Sequence, residues 1–135
     1  MREEVIERKF WLTRLFGIKY RYFFDSINDF LTNPHKTGIY FLQNLKVERS
    51  IPKEFQQYPY SSSTYYTFLF KDNTGDITVE SYPCSMMFQR MYPDKIWQDI
   101  INIKEGQVVD IIFGKPNRTY ILDDIKNRSI DEKVN

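Results

Sequence analysis

The sequence is poor in the side chains that most often anchor catalysis and metals. It holds one cysteine, Cys84, and one histidine, His35. A lone cysteine excludes an internal disulfide and fits a reducing compartment; after Pro83 it reads as a small buried residue. A lone histidine excludes a multi-histidine metal site within the chain. It sits beside Pro34 in an expected linker, which argues against histidine-based catalysis. There is no glycine-rich phosphate loop and no serine-nucleophile motif. Asp72 and Asp76 bracket a turn, where Asp caps backbone far more often than it holds a metal. Asp123-Asp124 reads as a solvated strand end, not a catalytic pair. No enzyme activity, metal or cofactor is expected. No apolar run approaches the roughly 18 residues that span a bilayer. The opening "MREEVIERKF" carries acidic residues and lacks a signal-length apolar stretch, which argues against secretion. The expected location is the cytoplasm, with the sequons at Asn117 and Asn127 inert. Formal net charge is +1, so bulk charge does not mark a nucleic-acid binder.

Rings, by contrast, are abundant: aromatic residues make up 17% of the chain. Residues 1–33 read as helix. In "YRYFFDSINDFLTN", Tyr20, Phe23, Phe24, Ile27 and Leu31 form an apolar stripe at helical spacing, and Asn33-Pro34 ends it. From Arg8 to Phe24 every charged residue is basic. Arg8, Arg14, Lys19 and Arg21 alternate there with rings that include Phe10 and Trp11. From Lys36 onward basic and acidic residues balance. What positive excess exists lies in this N-terminal window. It suits packing on the same chain, docking on a neighbouring subunit, extra contact with phosphate or, less readily, a membrane surface.

From about Gly38 the pattern changes to alternation. "GIYFLQNLKVERS", "TYYTFLFKD", "DITVESY", "EGQVVDIIFGK" and "NRTYILDDIK" read as five strands. The turns between them carry Asp72-Asn73-Thr74-Gly75, Glu105-Gly106 and Gly114-Lys115-Pro116-Asn117. Between the third and fourth lies "DKIWQDIINI", a helix with Asp94 as N-cap and an apolar face of Ile96, Trp97, Ile100, Ile101 and Ile103. The expected organisation is a basic, aromatic helical extension over 1–35, a β domain over 36–126 and a flexible tail over 127–135.

Five strands with a helix between the third and fourth resemble the OB-fold, a partly open five-stranded Greek-key barrel. "FKDNTGDITV" is similar to the hairpin between its second and third strands, and "IKEGQVVDIIFGKPNRTYILDDI" to its closing hairpin. The expected fold is thus mainly β, an OB-fold barrel with an N-terminal helical extension. Within that fold the chain looks like the small single-stranded DNA-binding proteins of bacteria, plasmids and phages. The resemblance covers about residues 38–126.

The resemblance implies a binding face on strands two and three, flanked by the loops between strands one and two and between four and five. Alternation puts Phe68, Phe70, Ile77 and Val79 inward. Tyr65, Thr67, Leu69 and Lys71 then face outward, with Thr78, Glu80 and Tyr82, while Tyr66 fits either face. Rings at Tyr65 and Tyr82 would stack bases, and Lys71 would meet phosphate. Leu69 would add apolar contact. "IPKEFQQYPYSSST" reads as a long polar loop that brings Lys53, Phe55, Tyr58 and Tyr60. Lys46 and Arg49 lie late in strand one; Lys115, Asn117 and Arg118 lie between strands four and five. The expected function is sequence-tolerant binding of single-stranded DNA or RNA, with self-association or further nucleic-acid contact through Arg8, Phe10, Trp11, Arg14, Lys19 and Arg21. The alternative is a protein-interaction module of the same fold that binds no nucleic acid.

Overall fold

A computed structural model describes residues 2–5, 20–33, 38–56, 62–81, 92–115 and 119–129. Its strands are β1 (Arg2–Val5), β2 (Tyr20–Phe23), β3 (Ile39–Gln56), β4 (Ser62–Lys71), β5 (Asp76–Ser81), β6 (Val108–Gly114) and β7 (Ile121–Asn127). Helix α1 spans Ile27–Thr32 and helix α2 spans Asp94–Ile101. Strands β3 to β7 close in the order β3-β4-β5-β7-β6, with β6 returning to β3. With α2 between the third and fourth barrel strands, this is the connectivity of an OB-like barrel.

Closure depends on β3. Its residues from Ile39 to Lys46 pair with β6, and its residues from Lys46 to Gln56 pair with β4. One strand therefore serves both walls, and it must bend between them. Leu42 and Leu45 show how. Both are fully buried although three residues apart, a spacing that strict alternation would place on opposite faces. The register explains it: Leu42 pairs Ile111 and Leu45 pairs Val109, three steps against two. The extra residue is a bulge. Asn44 adopts the left-handed region at φ 57°, which Asn tolerates better than most residues. Its N–H donates to Asp110 Oδ1 at 3.0 Å, and the buried Asp110 is held in turn by Arg128 Nε at 2.6 Å. A second bulge at Glu48 follows, between Val47 and Arg49. Where β6 begins, Gly106 turns at φ 88° and its N–H donates to the Val47 carbonyl at 2.8 Å.

The two helices close opposite ends. Helix α1 sits where β3 starts and β6 ends. Fully buried Phe30 places its ring 5.1 Å from those of Phe24, Tyr40 and Phe113 and 5.5 Å from that of Tyr120. Burial, then the neighbouring Tyr120 and Tyr22, hold the Tyr40 hydroxyl above its ordinary pKa, and burial does the same for Tyr120. At the other end α2 buries Ile100, and Trp97 stacks on Tyr92 at 5.8 Å and meets Tyr66 at 6.0 Å. Tyr92 also ties the start of α2 to β7. Strands β5 and β7 share only the pair Glu80–Ile121, and the Tyr92 hydroxyl donates to the Leu122 carbonyl at 2.6 Å.

The extended helix expected over residues 1–33 is not what forms among the described residues. Arg2–Val5 and Tyr20–Phe23 are strands, and the helix described in this region is Ile27–Thr32. β2 runs parallel to β3 and pairs Arg21, Tyr22 and Phe23 with Ile39, Tyr40 and Phe41. Tyr22 is buried between half-buried Arg21 and Phe23, which is strand alternation. The open edge at the start of β3 offers backbone partners that a helix would forgo, and Tyr and Phe suit a pleated surface. The helical stripe was a coincidence of ring spacing. Three smaller expectations also change. Asp94 lies in the first turn of α2 behind the N-cap Pro93. The expected tail is built in at its start: Arg128 grips Asp110, and Ser129 Oγ accepts from Val108 N at 2.8 Å. Asp123 is a fully buried bulge residue of β7 and not a solvated strand end.

Helix α1 is short, and what fixes it is the turn between β4 and β5. Asp72 Oδ1 accepts from Thr74 N at 2.7 Å, Thr74 Oγ1 at 2.6 Å and Gly75 N at 3.1 Å. Its Oδ2 accepts from Ile27 N at 2.9 Å, and Thr74 Oγ1 accepts from Asn28 N at 3.0 Å. The N-cap Ser26 takes Asp29 N at 3.0 Å. Three of the four N–H groups that a helix start leaves open are thus satisfied, two of them by the hairpin. Burial alone would raise the Asp72 carboxyl. The Thr74 hydroxyl and the N–H groups of Ile27, Thr74 and Gly75 outweigh it and hold the pKa below its ordinary value.

Asp72→Ala should therefore lower the free energy of unfolding by about 1–3 kcal/mol, read by urea denaturation. The folded pKa of Asp72 is depressed, so its contribution is complete above the unfolded value of about 3.9 and fades as pH falls through the folded value. The gap between wild type and Asp72→Ala should then narrow in acid. Phe30→Ala should cost about 3–5 kcal/mol in the same assay, because it empties the centre of the ring cluster.

Candidate nucleic-acid interface

Cross-strand register assembles an outer face on β3, β4 and β5. Residues directly opposite one another share a face. Lys46 lies opposite Lys71, which lies opposite Asp76. Arg49, Leu69 and Thr78 form the next row, and Ile51, Thr67 and Glu80 the third. Lys53 opposite Tyr65 forms the fourth. The interleaved residues Val47, Phe68, Phe70, Ile77 and Val79 are buried in the barrel as the alternation requires.

The face has a lateral order. Its β3 column is cationic, with Lys46, Arg49 and Lys53 all exposed. Among the described residues none of these three forms an ion pair. Its β5 column carries Asp76 and Glu80. The central β4 column runs from Tyr65 through Thr67 and Leu69 to Lys71. Tyr65 and Leu69 are half-buried and Lys71 is exposed. Lys71 Nζ lies 3.4 Å from Glu48 Oε2, both side chains being partly in solvent. A pair of that kind is worth well under about 1 kcal/mol, so Lys71 is held loosely.

Burial and ring contacts refine two features of the face. Thr67 points outward by register but is only 7% exposed, and its Oγ1 is buried with no hydrogen-bond partner among the described residues. Tyr66 resolves to the barrel side, stacked with Phe68 at 6.2 Å and tilted against Trp97. The long loop expected after strand one is also mostly strand. Residues up to Gln56 pair with β4 back to Ser62, so the hairpin continues as a two-stranded ribbon. Pro52 hid this. Its missing N–H breaks an interior ladder but is tolerated where the strand edge is free, and beyond Val47 β3 pairs with no strand on its β6 side among the described residues. The missed signal was alternation through "RSIPK", which carries Arg49, Ile51 and Lys53 along one face.

The remaining candidates fall in three groups. Lys115 is exposed with its ammonium 5.3 Å from the centre of the Tyr120 ring, at the α1 end of the barrel and away from the rows above. Arg21 lies in β2, half-buried, its guanidinium 5.1 Å from the Phe23 ring. Tyr58, Tyr60, Tyr82 and Arg118 lie outside the described residues, as do Arg8, Phe10, Trp11, Arg14 and Lys19. The structure thus brings Lys46, Arg49, Lys53, Tyr65, Leu69 and Lys71 together and adds Ile51. Among the described residues no group of three or more His, Cys, Asp or Glu side chains could hold a metal ion. No described helix is long and apolar enough to cross a membrane. No protein-family model matches the chain, and no curated protein or solved structure is significantly similar to it, so the outer face must be read from its own chemistry.

Proposed function

We propose that the outer face of β3–β5 binds single-stranded nucleic acid, DNA in the first instance, with little dependence on sequence. The observation that carries this reading is the register that sets Lys46, Arg49 and Lys53, which form no ion pair among the described residues, beside Lys71, Leu69 and Tyr65. Cations on a sheet surface take phosphates and release condensed counterions. A half-buried ring and an aliphatic neighbour give a base something to stack on, worth roughly 1–3 kcal/mol per base whatever its identity. The OB-like barrel supports the reading by analogy, since barrels of this connectivity use this face. On this reading the protein acts in the cytoplasm, and the basic N-terminal segment serves self-association or further phosphate contact.

A second reading has one observation in its favour. The β3–β4 ribbon runs past the barrel with a β3 edge that no strand pairs among the described residues and with exposed Ile51, which suits strand addition by a protein partner.

Fluorescence anisotropy of a labelled single-stranded oligonucleotide separates the two. Wild type should bind, and binding should weaken with salt. Removing two phosphate contacts in Arg49→Ala/Lys53→Ala should flatten the log–log salt slope by about 1.4. Tyr65→Ala should weaken binding by about 1–3 kcal/mol with little change in that slope. No binding at low salt would leave the protein-interaction reading.

A further inference from the structure

Two lysines share the first row of the outer face, and a carboxylate of the same chain reaches one of them. We infer, resting on the nucleic-acid reading above, that Lys46 and Lys71 together hold one phosphate of the strand, and that Glu48 takes the place of that phosphate on Lys71 in the free protein, as an internal competitor.

Register brings the lysines together. Lys46 and Lys71 are directly opposite on β3 and β4. That position holds Cβ atoms about 4.5–5.5 Å apart and sets like charges against each other. An anion between the two relieves the repulsion. A phosphodiester has two free oxygens and can accept a hydrogen bond from each ammonium group. Both lysines are exposed, so the site is open to a strand that crosses the face.

The second bulge of β3 brings the carboxylate. In a regular strand with Val47 inward, Arg49 would point inward as well. The register shift between Val47 and Arg49 leaves Glu48 as the extra residue and keeps Arg49 outward, opposite Leu69. A carboxylate is thereby set between two cations of the β3 column. Glu48 Oε2 lies 3.4 Å from Lys71 Nζ. Asp76 is directly opposite Lys71 on β5, yet it forms no ion pair among the described residues, and neither does Lys46. Lys71 is thus engaged from the β3 side, where Lys46 stands. Glu105 is turned instead to the backbone of β3 and accepts from Ser50 N at 3.3 Å. An ion pair between partly exposed side chains is weak and loosely held, so a phosphate displaces Glu48 without any change of fold. Glu48 stays within reach of Lys71 and competes again as the phosphate leaves. Binding is then weaker and more readily reversed than the cations alone would make it.

The test is a double-mutant cycle on the affinity for a labelled deoxythymidine oligomer, read by anisotropy at low salt. Glu48→Gln, which keeps the shape and removes the charge, should tighten binding about threefold, the scale of an exposed ion pair. Made in a Lys71→Ala background, the same change should alter affinity by less than about 1.5-fold, because the competitor has lost its cation. Asp76→Asn, which removes a carboxylate from the same row, should gain less than Glu48→Gln. No gain in Glu48→Gln would overturn the inference. So would a gain equally large without Lys71, or one matched by Asp76→Asn, since either would reflect only the loss of a negative charge. All three results leave nucleic-acid binding in place. Failure of both wild type and Glu48→Gln to bind would overturn the binding reading itself, and the inference with it.

Discussion

The bend in β3 is the constraint on which everything else rests. A single strand lends its first half to β6 and its second half to β4, and a barrel closes only if that strand turns a corner without losing the inward march of Leu42, Leu45 and Val47. One bulge at Asn44 and another at Glu48 make the corner. Asp110 satisfies the exposed N–H at the first, and Arg128, from beyond the last strand, neutralises the Asp110 carboxylate. The C-terminal residues of the barrel thus secure its first strand. Past the corner, β3 emerges with its polar residues outward, which places Arg49 and Lys53 on the same face as Leu69 and Tyr65.

Closure of the ends shapes what is left for function. Phe30 plugs one end within a cluster of rings, and α2 with Tyr92 and Trp97 covers the other. The plug is tied on through Asp72 and Thr74, so the hairpin between β4 and β5 has two roles: its tip anchors α1 and its outer wall carries the candidate face. Lys115 and Tyr120 are drawn into the α1 end. The loop between the last two strands is therefore partly committed to structure, and the cationic side of the face comes from β3.

Much of the barrel was legible in the sequence because its signals are local. Phe68, Phe70, Ile77 and Val79 alternate cleanly, and Asp72 to Gly75 and Glu105-Gly106 mark turns that form where expected. The rest was hidden for identifiable reasons. The rings at Tyr20, Phe23 and Phe24 fit a helical stripe, but the open edge of β3, distant in sequence, draws Tyr20–Phe23 into a parallel strand. Pro52 disguised the continuation of β3, since its fault matters only if the strand edge is paired. Asp72 reads as a turn cap, yet its second oxygen holds a helix 45 residues away in the chain. The face itself was half legible. Alternation gave its β4 and β5 columns, whereas the cation column needed the register across the bulge at Glu48. The burial of the Thr67 hydroxyl could not be read from sequence at all.

The most direct test of the account is an amide chemical-shift titration by NMR with an unlabelled single-stranded oligonucleotide. The account predicts that shifts concentrate on residues 46–53 of β3, 65–71 of β4 and 78–80 of β5, and spare α1. Shifts that are absent, or that gather at α1 and the ring cluster instead, would contradict it.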